Sequence, residues 1–211
     1  MTDPATHIIS LTFDNFGEAF DLQNERHPEG AVLGAHASAN VLPEILDHLD
    51  EVDLKATFFV EGWNVEHYGP SLTEMAKRGH EVSVHGWQHE HWSDQSGADR
   101  RSVLENCKAA FESIGLVPAG LRPPGGVSTS DTASLLSEFG FSYESPLGVV
   151  VSVTPEIVTL PFLWSLVDAL YFEPLLAKGR ERLLGDPDIA DVSAWEAALG
   201  SLLHSGQSAA S

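Results

Sequence analysis

KATFFVEGWNVEHYGPSLTEMAKRGHEVSVHGWQH, residues 55–89, holds two short apolar runs on either side of an amphipathic one. KATFFV (55–60) and EVSVH (81–85) are short and rich in β-branched and aromatic residues, so each reads as a buried strand. Between them SLTEMAKRG (71–79) reads as a helix, and its closing glycine suits a C-cap. Strand, helix, strand in this order is the unit from which parallel sheets with outer helices are built.

The pattern extends both ways. Upstream, HIISLTF (7–13) reads as a first strand, and NVLPEILDHLDEV (40–52) as a helix presenting Val41, Leu42, Ile45, Leu46 and Leu49 to a core. Downstream come a helix from about Ala98 to Ile114, a short strand ending at Leu121, and a helix near Ser130–Glu138 before Gly140. The expected class is α/β with a parallel sheet, open or closed as a barrel, in a single domain over 1–211. AGLRPPGG, YESPLG and TLPFLW are candidate strand exits, where sites of such folds lie.

Composition narrows the function. The 31 acidic residues against 11 basic ones give a formal charge of −20, which argues against nucleic acid or an anionic membrane as partner. No run approaches the roughly 18 apolar residues of a spanning helix. The N-terminal MTDPATHIISLTFD shows no basic segment followed by an apolar one, so a cytoplasmic location is expected. The lone cysteine, Cys107, reads as a small buried apolar residue.

Three strand ends carry unusual side chains. Asp14 and Asn15 follow the first strand, His85 and His89 follow EVSV, and Arg122 precedes Pro123, Pro124, Gly125 and Gly126. Strand ends of one parallel sheet converge in space, so these five can share a site. The spacing of His85 and His89 lets both imidazoles reach one cation, although ten histidines make such a pair common by chance. His91 and Trp92 can line a groove or pack locally, and Glu18 and His36 can face the site from the loop after the first strand. His7, His27, His48, His67 and His80 read as structural or surface.

As an ordered set these segments resemble the polysaccharide deacetylase family, whose shared module is the NodB-homology domain. LTFDN (11–15) resembles its T-F-D-D motif and KATFFVEG (55–62) its second core strand. GHEVSVHGWQH (79–89) resembles its metal motif H-[ST]-x-x-H, and LRPPGG (121–126) its arginine motif R-P-P-Y-G. The resemblance covers about the first two thirds of the chain. It implies an irregular (β/α) barrel and a divalent metal, zinc first, with cobalt, nickel or manganese as alternatives. Asp14 matches the general base toward the attacking water, and Arg122 the arginine that orients it. His85 and His89 match metal ligands, and Gly125 the backbone N–H that holds the oxyanion.

Three departures follow. Asn15 stands where the family has its aspartate ligand, so the third ligand is open among Asn15, Glu18 and Asp14. Gly125 replaces a tyrosine, which is expected to open the cleft. No late L-x-x-H strand is found: His204, the only late histidine, lies in WEAALGSLLHSG, which reads as a helix ending at Gly206. The barrel can therefore lack its last strand, as in a truncated or decayed member. The expected function is metal-dependent hydrolysis of a C–N bond, removing an acyl group from an N-acetylated sugar or related small amide. The competing readings are an allantoinase-like cyclic amide hydrolase and a catalytically impaired sugar-binding module on the same fold. The expected partner is a small-molecule or oligosaccharide substrate.

Overall fold

The computed structural model describes residues 9–188 and 192–208, with only the backbone for Leu175 and 202–208. His7 and the start of the HIISLTF run lie outside the described residues. The described residues form two compact units, one of Ser10–Pro146 with Val150–Pro161, the other of Ile9, Leu147–Val149 and the described residues from Phe162 onward.

The first unit is a sheet with helices. Its elements are β1 (Leu11–Asp14), α1 (Ala19–Gln23), α2 (Ala37–Glu51), β2 (Ala56–Val60), α3 (Val65–Lys77), β3 (Glu81–Val84), α4 (Gly97–Ser113), β4 (Gly120–Leu121), α5 (Thr132–Glu138), β5 (Tyr143–Glu144), β6 (Ser152–Val153) and β7 (Val158–Thr159). The strand order is β1-β2-β3-β4-β5-β7-β6. Neighbours are parallel except for the β6–β7 hairpin. Among the described residues no ladder joins β1 to β6, and no strand follows β7. The expected α/β class and irregular barrel are borne out.

Side chains alternate along each strand and give the sheet two unlike faces. Ala56, Phe58, Val60, Val82, Val84 and Leu121 pack against Leu42, Leu46 and Leu49 of α2, Leu72 and Met75 of α3, and Leu104, Cys107 and Phe111 of α4. Val41, expected in the core, is exposed. The other face is polar. There Glu81 accepts hydrogen bonds from Thr57 (2.9 Å), Ser83 (2.7 Å) and Tyr143 (2.8 Å). The Tyr143 ring lies over Gly120, where an added Cβ would come within 2.1 Å of it.

Helix starts follow local chemistry. Ser96 and Asp99 form a capping box on α4, satisfying two otherwise unpaired N–H groups. α3 begins six residues before the expected segment and carries Pro70, with a kink at Tyr68. A proline inside a helix removes a donor and crowds the preceding turn, and this hid the helix's first half in the sequence.

The second unit is helical: α6 (Asp168–Phe172), α7 (Ala177–Leu184) and α8 (Val192–Ser208). The buried guanidinium of Arg180 donates to the carbonyls of Leu170, Glu173 and Pro187 and ties α6 to the end of α7. α8 bears out the helix read around WEAALGSLLHSG and runs two residues past Gly206. The His204 side chain lies outside the described residues. No helix among the described residues is long and apolar enough to cross a membrane.

Candidate metal and hydrolase site

Register explains why distant residues meet. The ladders pair Asp14 with Phe59, Val60 with Val84, Val84 with Leu121, and Leu121 with Glu144. Pairing then continues one step beyond the strands. The N–H of His85 donates to Val60 O (2.9 Å), Arg122 N–H to Val84 O (2.9 Å), and Ser145 N–H to Leu121 O (2.8 Å). With period two, Thr12 and Asp14, Phe59 and Glu61, Ser83 and His85, Arg122, and Tyr143 and Ser145 fall on the polar face. The row Asp14, Glu61, His85, Arg122 and Ser145 caps that face at the carboxyl ends of five strands.

Arg122 and Asp14 form one half of the site. Nη1 donates to Asp14 Oδ1 (2.9 Å) and Oδ2 (3.2 Å) and to Thr12 Oγ1 (2.8 Å). Nε and Nη2 donate to Ser145 Oγ at 3.3 and 2.9 Å. The guanidinium carbon lies 4.3 Å from the centre of the Phe59 ring, a face that attracts a cation. Loss of water raises the Asp14 carboxyl above its ordinary range, while Arg122 and, more weakly, His89 pull it down. Ser145 came from YESPLG, flagged only as a strand exit. Ser145→Ala is expected to destabilise the protein by about 1.5–3 kcal/mol, the range for a hydrogen bond to a charged group. Urea unfolding reads this, and a change under about 0.5 kcal/mol would show that Arg122 is held without Ser145.

The other half is His85, His89 and Glu61, whose ligand atoms all lie within 4.8 Å of one another. His85 Nδ1 is 2.8 Å from Arg122 O. A carbonyl only accepts, so Nδ1 carries the proton and Nε2 keeps its lone pair for a cation. Burial pushes both imidazoles down to about 3, so they are neutral near pH 7. The rings sit 4.9 Å apart, and Phe20 packs edge-on to His89 at 4.7 Å. His89 has φ 68° and Asn15 φ 58°, a region non-glycine residues occupy at some cost. Gly86 is forced: it has φ 74°, and a Cβ there would meet Pro124 at 2.8 Å.

Glu61 is not among the residues to which the sequence pattern points. Its signal was there, since it follows β2 as His85 follows β3 and shares the parity of Thr57 and Phe59. It is fully buried, and Oε1 has no hydrogen-bond partner. Desolvation, with Asp14 and Glu90 adding like charge, raises its carboxyl well above the ordinary range. Two neutral imidazoles, one buried and one half-buried, beside a buried carboxylate with a free oxygen are a donor set that fits a divalent cation.

Other expectations resolve differently. Glu18, a candidate third ligand, is committed elsewhere: Oε1 accepts from the N–H groups of Gly34 (3.0 Å) and Ala35 (3.2 Å), and Oε2 from Tyr68 Oη (2.6 Å). It staples the loop before α2 to α3. His36 caps α2 by accepting from Ser38 N–H at 3.2 Å and pairs with Asp21, so it too is structural. Trp92 is fully buried and donates to Thr132 Oγ1 (2.9 Å), which settles it as local packing. The space left by glycine at 125 is not simply open: a Cβ there would lie 2.9 Å from His91 Nδ1. Asn15 Oδ1 is buried without a hydrogen-bond partner.

The family model for polysaccharide deacetylase matches residues 2–143. A stretch of 97 residues is 34% identical to the Listeria monocytogenes peptidoglycan-N-acetylglucosamine deacetylase PgdA, covering 46% of this chain and 21% of that protein. A stretch of 145 residues is 27% identical to a Helicobacter pylori peptidoglycan deacetylase, covering 68% of this chain and 49% of that one. The chain therefore spans between a fifth and a half of the length of these relatives. The fold matches a Mycobacterium smegmatis crystal structure assigned to the polysaccharide deacetylases, with TM-score 0.68 and 23% identity, over 98% of this chain and 86% of that one. The resemblance read from LTFDN, GHEVSVHGWQH and LRPPGG is borne out: the chain belongs to the polysaccharide deacetylase family.

Proposed function

We propose that this protein is a zinc-dependent deacetylase that releases acetate from an N-acetylated amino sugar, free or within an oligosaccharide. The observation that carries this reading is the row at the strand ends, where the Asp14–Arg122–Ser145 chain of hydrogen bonds stands beside the buried Glu61 and His85 and the half-buried His89. A bound divalent cation supplies Lewis-acid polarisation of the amide carbonyl and acidifies the attacking water.

His85 and His89 would hold the cation through neutral imidazoles. Asp14 takes the proton from the attacking water, and that proton passes to the amine nitrogen as the C–N bond breaks and acetate leaves. Its partner Arg122 keeps the carboxylate ionised and fixed in orientation, and Ser145 and Thr12 hold the guanidinium in turn. The Gly126 N–H is bonded to Pro123 O at 2.8 Å, which fixes the turn. In that turn we assign the Gly125 N–H to the oxyanion. A preset donor there stabilises charge that develops only as the carbonyl carbon becomes tetrahedral.

The test is acetate release from N-acetylglucosamine, its β-1,4 oligomers and peptidoglycan fragments, with Zn²⁺ or Co²⁺ added to chelator-stripped protein and cyclic ureides run alongside. Acetate release that a chelator stops is the expected result. Folded, metal-loaded protein that releases none, or that opens ureides instead, would overturn the reading.

A further inference from the structure

We propose that Glu61 is the third protein ligand of the metal, supplying from the end of β2 the negative charge that Asn15 does not bring from the end of β1. The inference rests on the metal-dependent reading above and assigns a residue that lies in none of the motifs LTFDN, GHEVSVHGWQH and LRPPGG.

Backbone pairing fixes Glu61 beside the histidines. Beyond the last paired residues of β2 and β3, the N–H of Gly62 donates to Gly86 O (2.9 Å) and that of Trp63 to Trp87 O (3.0 Å). Cys107 Sγ adds a contact to Gly86 O at 3.2 Å. Two loops that would otherwise diverge run together for three residues, so the side chains of Glu61 and His85 are set by the sheet's own register.

The carboxylate is then oriented from behind. Asn64, fully buried, donates to Glu61 Oε2 (3.0 Å) and to Phe16 O, and its Oδ1 accepts from Ala19 N–H (3.2 Å). The amide, held by three partners, fixes Glu61 Oε2 from behind and leaves Oε1 without a hydrogen bond, and a carboxylate oxygen of Glu61 lies within 4.8 Å of a ring nitrogen of His85 and of His89. Outer hydrogen bonds of this kind are what hold metal ligands in place.

The energetics point the same way. A fully buried carboxylate with an unpartnered oxygen is costly, and a cation is the usual compensation. The other nearby acids are spoken for. Asp14 is held by Arg122, Glu18 by the loop before α2, and Glu90 lies outside the cluster of ligand atoms. Asn15 Oδ1, also unpartnered, can serve only as a neutral oxygen donor. Moving the carboxylate from β1 to β2 keeps the charge of the site while leaving Asp14 free to act as base.

Full-length protein, stripped with chelator, is titrated with Zn²⁺ by calorimetry and melted with and without Zn²⁺. Removing an outer-shell partner of a metal ligand weakens binding about 10–100-fold. Loss of a charged ligand in Glu61→Gln should therefore weaken it by more than about 100-fold and remove the Zn²⁺-induced rise in melting temperature. Metal-free Glu61→Gln should melt no lower than metal-free wild type, because the amide brings no charge into the buried site. Glu61→Asp, which keeps the charge on a shorter arm, should bind between the two. Wild-type affinity in Glu61→Gln, or a loss seen in Asn15→Ala and not in Glu61→Gln, would overturn the assignment while leaving a metal site standing. Folded wild-type protein that binds no Zn²⁺ would instead defeat the metal-dependent reading itself.

Discussion

Asp14→Asn is expected to lower kcat for acetate release by about 10²–10⁴-fold, the usual contribution of a positioned general base, while Zn²⁺ affinity stays near that of the wild type. The reason lies in the division of labour at the strand ends. Asp14 faces Arg122 at 2.9 Å and receives its charge, whereas the cluster of ligand atoms is formed by Glu61, His85 and His89. An amide at 14 keeps the shape of the carboxylate and loses its basicity. Substrate binding should change little, so the effect belongs in kcat rather than KM.

The pH profile carries a second signature of the same group. A base works ionised, so activity is lost as pH falls through the Asp14 pKa. Burial raises that pKa and Arg122 lowers it. Arg122→Gln removes the lowering influence and should move the acidic limb of the rate profile to higher pH. In Asp14→Asn the limb should vanish. An unchanged limb in both variants would mean that another group accepts the proton.

Much of this site was legible because strand exits in a parallel sheet advertise themselves. Polar residues directly after apolar runs, at Asp14, His85 and Arg122, could be placed together from topology alone. Glu61 is hidden in the sequence because it closes the run KATFFVEG, whose apolar part alone reads as a strand. Counting parity from Thr57 and Phe59 would have set it on the same face as His85. Ser145 escaped for a different reason. β5 is two residues long, too short for alternation to be seen, and only pairing to β4 and β7 defines it.

Glu18 shows the opposite error. Proximity in sequence to Asn15 suggested a ligand, yet the chain turns at Asn15 and Gly17, both with positive φ. The turn carries Glu18 to the N–H groups of Gly34 and Ala35, where a carboxylate has hydrogen bonds to make. Helix α3 extends upstream of SLTEMAKRG because its buried face, from Val65 through Met75, is continuous across Pro70. Tertiary packing overrides local propensity in such cases.

His85→Ala should have the largest effect of any single change, abolishing stoichiometric Zn²⁺ binding and reducing turnover by roughly 10³-fold or more, as expected when several kcal/mol of metal assistance are lost. The ring does two jobs. Its Nδ1–H closes a hydrogen bond to Arg122 O, so its removal also leaves a buried carbonyl without that partner. The metal-free protein should therefore lose stability as well, by about 1–3 kcal/mol at neutral pH. That difference should shrink in acid. Burial holds the folded His85 pKa at about 3, below the value near 6.5 of an unfolded chain. Unfolded wild type thus takes up a proton that the folded form refuses, and the stability due to neutral His85 is present above about pH 6.5 and lost as pH falls toward 3. The alanine variant lacks this titration. Urea unfolding of both proteins between pH 5 and 8 reads the convergence, and zinc analysis at neutral pH reads the metal. A variant that retained stoichiometric zinc would remove His85 from the ligand set, and a gap constant with pH would show that the ring is not held neutral by burial.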